Sequence, residues 1–557
     1  MYPNQHEVQM LESSNGFRPV TSVSQRAIEH RENLLQTICL LAFSVIAAAV
    51  IPRHIGWPDE AQSWLMARDS GLFDLIWRHV RYEGSPGLWA TLLWLCARIH
   101  LTYGGIHWVC GLIALAGVGV WLRYAPFPPI IRYLFPFTFF IQYQYTVIAR
   151  SYVLFPLLAF SLCALFTSEK PRYLYFALAA GLMANVSLYG LCFSIGIVVA
   201  YIWYCCMRGK KASTTSRHLI VYSSLLLLSF WVIAVVTAFP PSDADGSGRP
   251  ALLKHLGVSQ SAVSLAISYV KPLDPPQNLT QLERTYWITT HPGIEQPSKL
   301  DRMELRLFSV LGLITFPICN WNVIAVLFLI LSGIFLWRQD IIYLLPYFMV
   351  LAFCIFVRAE SHHTGLLWIS LVCALWLAWR QANVSSALRH ALTAVFVCVL
   401  AIQIGWTIHS LKAEFERPYS GDKLAAEFLK SQPAGKRIAG FHYYSVGPQA
   451  YQFHNAYINQ STTFWPWSTI RDPDLYIAET ATQHPDIVII GESYTGSQMT
   501  RNQWMPMALI GLKEVNSPAV PYFESLGYRQ THQFCGESGM RFGYSRSICY
   551  IVLEPFS

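Results

Sequence analysis

The residues best suited to chemistry lie in four short segments at the edges of apolar runs. Trp57-Pro58-Asp59-Glu60 places two adjacent carboxylates just beyond the first such run. A partly desolvated carboxylate at a membrane face can act as a general base, a role that accelerates reactions by roughly 10²–10⁴-fold. Asp59 and Glu60 are therefore the candidate catalytic residues. The same residues also suit a helix start, where Pro fits the first turn and acidic side chains meet the positive end of the helix dipole. In Tyr82-Glu83-Gly84-Ser85-Pro86 a polar turn leads into an apolar run. Glu83 and Ser85 are candidates for positioning an acceptor or a loop, and the spacing equally fits a plain span boundary.

Arg150-Ser151-Tyr152 falls between two apolar runs, with Tyr143 and Tyr145 just before it. An Arg at membrane level is costly unless it is paired or faces a polar cavity. It reads either as a snorkelling side chain or as a ligand for phosphate, with Tyr152 beside it. Arg358-Ala359-Glu360-Ser361-His362-His363 forms the fourth segment. His362 and His363 are adjacent and lack the i, i+4 spacing of a helical metal pair. Together with Arg358 they suit phosphate contact, or an interfacial role with ordinary hydrogen bonds. No metal ligands are assigned. The sequence does not require a divalent metal, and the cofactor is left unknown.

These segments must be positioned by apolar elements. Nearly uncharged runs recur at about 34–52, 86–102, 106–122, 127–145, 151–167, 173–189, 190–207, 219–240, 304–320, 321–337, 341–357, 365–379 and 391–409. Each is near the length needed to cross ~30 Å of hydrocarbon. The basic loop Arg208–His218 is expected on the cytoplasmic side, as are the loops holding Arg338, Arg380 and Arg389. If every run crossed, this loop would fall outside, so two runs are expected not to cross fully. The candidates are 304–320 and one run between 86 and 150, leaving about 11–13 crossings.

The fold class expected is therefore a polytopic α-helical membrane protein with a C-terminal external α/β domain. Residues 1–33 form a cytoplasmic tail, 34–409 the transmembrane domain and 410–557 an external soluble domain. About 30 polar residues precede the first run and no small-residue cleavage site follows it, so that run is expected to stay as an anchor. External loops fall at about 53–85, with amphipathic pieces able to lie flat at the interface, and at 241–303. The tail reads as a helix at KLAAEFLKS and strands at RIAGFHYY, DIVIIGES and SICYIVLEP. In it, Trp465 and Tyr443-Tyr444 suit either core or a sugar platform, and Cys535 and Cys549 can pair if the tail is extracellular or periplasmic.

Composition supports the lipid setting. Of 557 residues, 54% are hydrophobic and only 13% charged, against roughly 25% charged in soluble domains. The net charge of +8 is spread between apolar runs with no basic stripe, which excludes nucleic acid as a partner. The 13 Cys form no zinc spacing.

Taken together, residues 34–410 resemble the GT-C superfamily of membrane glycosyltransferases, which includes protein O-mannosyltransferases and the aminoarabinose transferases of lipid A. The likeness is one of layout: an external Asp59-Glu60 after the first span, Ser85-Pro86 entering the next helix, Arg150 and Tyr152 after an aromatic run, a late basic segment with Arg358, His362 and His363, and a soluble domain last. Ser85-Pro86 stands where many relatives have His-Pro, and the first loop has no Asp-x-Asp. The resemblance implies a polyprenyl-phosphate-linked sugar donor entering from the lipid bilayer; the lack of a cleavable signal suits a bacterial inner membrane, and an endoplasmic reticulum protein would look similar. Asp59 would be the base, with Glu60 orienting it or capping the helix. Arg150, Tyr152, Arg358 and His362 or His363 would hold the phosphate, and the sugar would transfer with inversion. A lipid-linked-sugar flippase and a non-catalytic envelope scaffold are the alternatives.

Overall fold

The computed structural model describes residues 22–169, 171–207, 214–239, 241, 310–319, 322–356, 361–379, 384–416, 418–451, 456–465, 473–495, 517–536, 539–541 and 544–556. Most of the loop 241–303, Arg358, and the side chain of His362 lie outside the described residues.

Apolar chain in hydrocarbon must satisfy its backbone internally, so the apolar runs fold as helices. Among the described residues, five helices are long and apolar enough to cross a membrane: Glu29–Arg53, Gly105–Tyr124, Leu188–Met207, Arg217–Ala238 and Ser386–Glu416. Shorter apolar helices include Leu88–Arg98, Tyr173–Ala184, Asn322–Trp337 and His363–Trp379. Residues 88–98 form only 11 helical residues, about 17 Å of rise, so this piece is too short to span alone. On Arg217–Ala238, Leu225, Leu228 and Val232 are more than half exposed. An apolar ridge of that kind is stable against lipid and not against water. By contrast, residues 363–379 are buried throughout and form the centre of the array.

The run 127–145 is not one helix. It breaks into an α-helical turn at Pro129–Leu134, a tight turn at Phe135–Phe137 and a wide turn at Phe139–Gln144. Breaking a helix in a membrane frees carbonyls, and hydroxyls take them up here. Thr138 donates to the Phe135 carbonyl at 2.7 Å, Thr146 to that of Ile141 at 2.5 Å, and Thr407 to that of Phe137 at 2.8 Å. This buried, irregular stretch carries the chain to Tyr143, Ala149 and Arg150.

Helices Leu188–Met207 and Leu345–Phe356 meet at a glycine. A Cβ built on Gly196 would lie 2.6 Å from the Pro346 Cα. Because the obstacle is backbone, it does not yield by rotamer change. Gly196→Ala is expected to destabilise the protein by roughly 1–3 kcal/mol through overpacking. Gly119→Ala, with nothing within 4 Å of its added Cβ, is expected to be neutral or slightly stabilising. Melting of both variants in detergent checks the pair.

The C-terminal region folds into a five-stranded sheet. We label its strands β1 (Ile438–Phe441), β2 (Ile487–Thr495), β3 (Tyr528–Cys535), β4 (Gly539–Arg541) and β5 (Tyr544–Pro555), in the order β1-β2-β5-β3 with β4 also on β5. β1 and β2 run parallel and the other pairs antiparallel. Alternation puts Ile487 and Ile489 in one core layer with Tyr550 and Val552, and Val488 and Ile490 in the other with Ile551 and Leu553. Cys535 and Cys549 sit opposite each other on β3 and β5 and form a disulfide.

Part of the first loop departs from the expectation of pieces lying flat at the interface, while Leu72, Phe73 and Trp77 beyond it remain exposed as that expectation requires. In helix Pro58–Asp69, Ala61, Trp64, Leu65, Met66 and Ala67 are all buried. The tail supplies the covering layer: the Tyr451 hydroxyl accepts from the Gly56 amide at 3.2 Å, and Gln62 exchanges hydrogen bonds with the Trp465 backbone at 3.0 and 2.8 Å.

Candidate functional site

Pro58 occupies the first turn of helix Pro58–Asp69, with Trp57 extended before it. Adjacent residues on a helix point about 100° apart, so Asp59 and Glu60 cannot share one environment. The Glu60 side chain is fully buried, whereas that of Asp59 is 42% exposed.

Among the described residues Glu60 accepts four hydrogen bonds. Oε1 receives the Trp57 amide at 2.8 Å and His54 Nε2 at 3.3 Å. Oε2 receives the Ala149 amide at 2.6 Å and His107 Nε2 at 3.0 Å. The Trp57 bond is the reach-back half of a capping box, so the helix-start reading holds for this residue. Burial alone would raise the Glu60 pKa, but the two imidazoles outweigh it and hold the carboxyl below its usual range. Glu60 is thus a buried joint and not an accessible base.

The network extends through His54, whose Nδ1 lies 3.0 Å from Glu414 Oε1, and Glu414 also accepts from the Tyr143 hydroxyl at 2.5 Å. Burial opposes charge on His54, but Glu414 and Glu60 prevail and push its pKa up to about 9. His107 Nδ1 lies 3.4 Å from the Gly104 carbonyl.

Asp59 faces the other way. Its Oδ2 pairs with the Arg150 guanidinium, and its Oδ1 accepts from the Tyr443 hydroxyl at 2.7 Å. Burial, followed by the Asp59 charge, raises the Tyr443 pKa and keeps that phenol a donor. Tyr443 comes from the tail, and the preceding His442 has φ 71° and ψ 154°. That backbone region is nearly confined to glycine and costs about 1–3 kcal/mol, strain that the docked tail holds in place beside Asp59.

Arg150 lies 5.8 Å from the centre of the Tyr152 ring. The Tyr152 hydroxyl is 2.7 Å from His363 Nε2, and the Tyr189 hydroxyl is 3.0 Å from His363 Nδ1. His363 is only 5% exposed, so it stands behind Tyr152 and not at the surface. Four predicted residues, Asp59, Arg150, Tyr152 and His363, therefore form one continuous chain of contacts. Glu83 borders it through Gln62, which donates at 3.4 Å, and through its charge on Tyr443. Ser85 lies half-buried in the turn before helix Leu88–Arg98. Sequence reasoning missed His54, His107 and Glu414 as site residues, and read Tyr443 only as core or part of a sugar platform. The one available signal was His107, an imidazole inside an apolar run, which is costly there without partners.

One further titratable group lies close by. Asp422 is buried at the start of helix Asp422–Ser431, and its Oδ1 accepts from the Ser420 and Tyr550 hydroxyls. Its Oδ2 has no partner among the described residues. Burial raises its pKa to about 7 against the lowering effect of those two hydroxyls. The unfolded value is about 3.9, so between about pH 4 and pH 7 the folded chain holds a proton that the unfolded chain releases. Stability is then full below that window and falls as pH rises, by roughly 4 kcal/mol in all. Asp422→Asn is expected to flatten this slope and to gain on the wild type as pH rises, read as melting temperature against pH.

Comparison of the chain with protein-family models, with curated proteins and with solved structures returns no match. The functional reading therefore rests on the geometry of these residues.

Proposed function

We propose that this chain is a membrane glycosyltransferase that moves a sugar from a polyprenyl-phosphate donor to an acceptor hydroxyl at the external membrane face. The observation that carries the reading is the Asp59–Arg150 pair: a partly exposed carboxylate, beside the ends of apolar helices, held by a guanidinium and a tail phenol.

In this reading the incoming donor phosphate competes with Asp59 for Arg150. Once Arg150 turns to the phosphate, the Asp59 carboxylate is released to accept the acceptor hydroxyl proton. The acceptor oxygen then bonds to the anomeric carbon as the carbon–oxygen bond to phosphate breaks, and the phosphate leaves with the bonding electrons. Arg150 offsets the charge that develops there. Attack opposite the leaving group inverts the anomeric centre. Tyr152, backed by His363 and Tyr189, lines the same side as Arg150, and Arg358 and His362 would add to the phosphate site. Glu83 and Ser85 would position the acceptor or its loop, and Glu60 keeps the structural role its burial gives it.

The array of apolar helices supplies the lateral surface a long isoprenoid needs, with 11–13 crossings in the reading adopted here. Contact of the tail with Asp59 supports placing tail and site on one side, and the Cys535–Cys549 disulfide favours an oxidising, external compartment such as the periplasm. The test is incubation of the purified chain in lipid nanodiscs with radiolabelled polyprenyl-phosphate sugars. Release of polyprenyl phosphate supports the proposal. Movement of intact donor across the bilayer without turnover, or no turnover with any donor, overturns it.

A further inference from the structure

The His54–Glu60–His107 cluster takes no part in the transfer chemistry proposed above, and its geometry asks for an explanation of its own. Both rings present Nε2 to the same carboxylate, and one ligand atom from each of the three residues lies within 4.8 Å of the others. Ligand atoms about 2.0–2.1 Å from a tetrahedral zinc ion stand about 3.3 Å apart. The observed separations between the rings and Glu60 are 3.3 and 3.0 Å.

The outer contacts follow the same pattern. Ligating histidines commonly direct their second ring nitrogen to a carboxylate or a backbone carbonyl, which fixes the ring and its tautomer. His54 Nδ1 meets Glu414, and His107 Nδ1 meets the Gly104 carbonyl. Glu60 is itself steadied by two backbone amides, from Trp57 and Ala149.

The arrangement of the rings points the same way. A neutral imidazole has one N–H, yet both nitrogens of His54 face carboxylates. The two rings lie with their centres 5.2 Å apart and are both buried, close enough to share one ion.

We propose that His54, Glu60 and His107 bind one divalent transition-metal ion, with zinc the best match to two imidazoles and a carboxylate. Three protein ligands leave a coordination position for a small molecule. A cleft of about 260 Å³ adjoins His54 and His107 and is also lined by Thr102, Lys423 and Tyr451, so water or a small anion can reach the site. The ion ties the turn after the first helix to helix Pro58–Asp69 and helix Gly105–Tyr124, and through Glu414 to the last span. This proposal does not depend on the sugar-transfer reading.

The test uses the full chain, purified in detergent without chelator from zinc-supplemented cells. Elemental analysis is expected to find about one zinc per chain, and a strong chelator is expected to lower the melting temperature, with recovery on added zinc but not magnesium. His107→Gln and His54→Gln are each expected to abolish zinc retention. If either variant does not fold, cobalt substituted into the wild type supplies the readout, as the intense visible absorption of a tetrahedral nitrogen and oxygen site. Wild-type protein that holds no zinc, cobalt that gives no such absorption, or zinc retained equally by both variants overturns the proposal.

Discussion

Asp59→Asn is expected to lower sugar transfer by roughly 10²–10⁴-fold, the range for loss of a positioned general base, while leaving the protein folded. The side chain is 42% exposed, and Asn keeps its size and its ability to accept from Tyr443. What it loses is the capacity to take a proton and the charge that holds Arg150. Asp59 is the more exposed member of the pair, at 42% against 21% for Arg150, so its loss is expected to cost less stability than loss of the fully buried Glu60. The kinetic signature separates this role from simple donor binding. Loss of the base lowers kcat with little change in KM for the donor, whereas Arg150→Gln, which removes a phosphate ligand, is expected to raise donor KM as well as lower kcat. Wild-type turnover by Asp59→Asn, in a variant that elutes and melts like the parent, would remove Asp59 from the chemistry.

Asp59, Arg150 and Tyr152 were legible in the sequence because each is a polar group where apolar chain makes polarity costly, and a costly residue must have a partner. The division of labour between Asp59 and Glu60 was not legible. It depends on which side of helix Pro58–Asp69 faces the bundle, and that is decided by Trp64, Leu65 and the tail that covers them. The partners that complete the two networks were hidden by distance along the chain: Glu414 lies 360 residues from His54, and Tyr443 lies 384 from Asp59. The tail's helix and three of its strands followed from periodicity, since Ile438–Phe441, Ile487–Thr495 and Tyr544–Pro555 carry apolar runs. Strand β3 was missed because it is an edge strand whose residues are mostly exposed and polar, which leaves no alternation to read. The break within 127–145 was equally silent. Its aromatic residues are as compatible with a straight helix as with the irregular path, which is held by hydroxyls from Thr138, Thr146 and Thr407.

Glu60→Gln is expected to destabilise the protein by roughly 3–5 kcal/mol, the cost of removing one partner from a buried charged pair. The substitution preserves shape, so the effect is electrostatic. Four donors aim at the two oxygens of Glu60, two of them backbone amides. A Gln side chain offers one oxygen and one NH2 group. If the NH2 group replaces Oε2 it confronts the Ala149 amide and His107, and if it replaces Oε1 it confronts the Trp57 amide and His54. Either orientation strands a buried backbone N–H, and both remove the negative charge that the two imidazoles face. Glu60→Asp is expected to fare little better, because a carboxylate drawn back by one methylene cannot reach rings on two separate elements. The measurement is thermal unfolding in detergent, in which Glu60→Gln should melt about 3–4 °C below the parent while the neighbouring Asp59→Asn shifts less. That contrast between adjacent carboxylates is the consequence of the 100° turn between them: one faces the bundle as a joint, the other lies partly exposed beside Arg150.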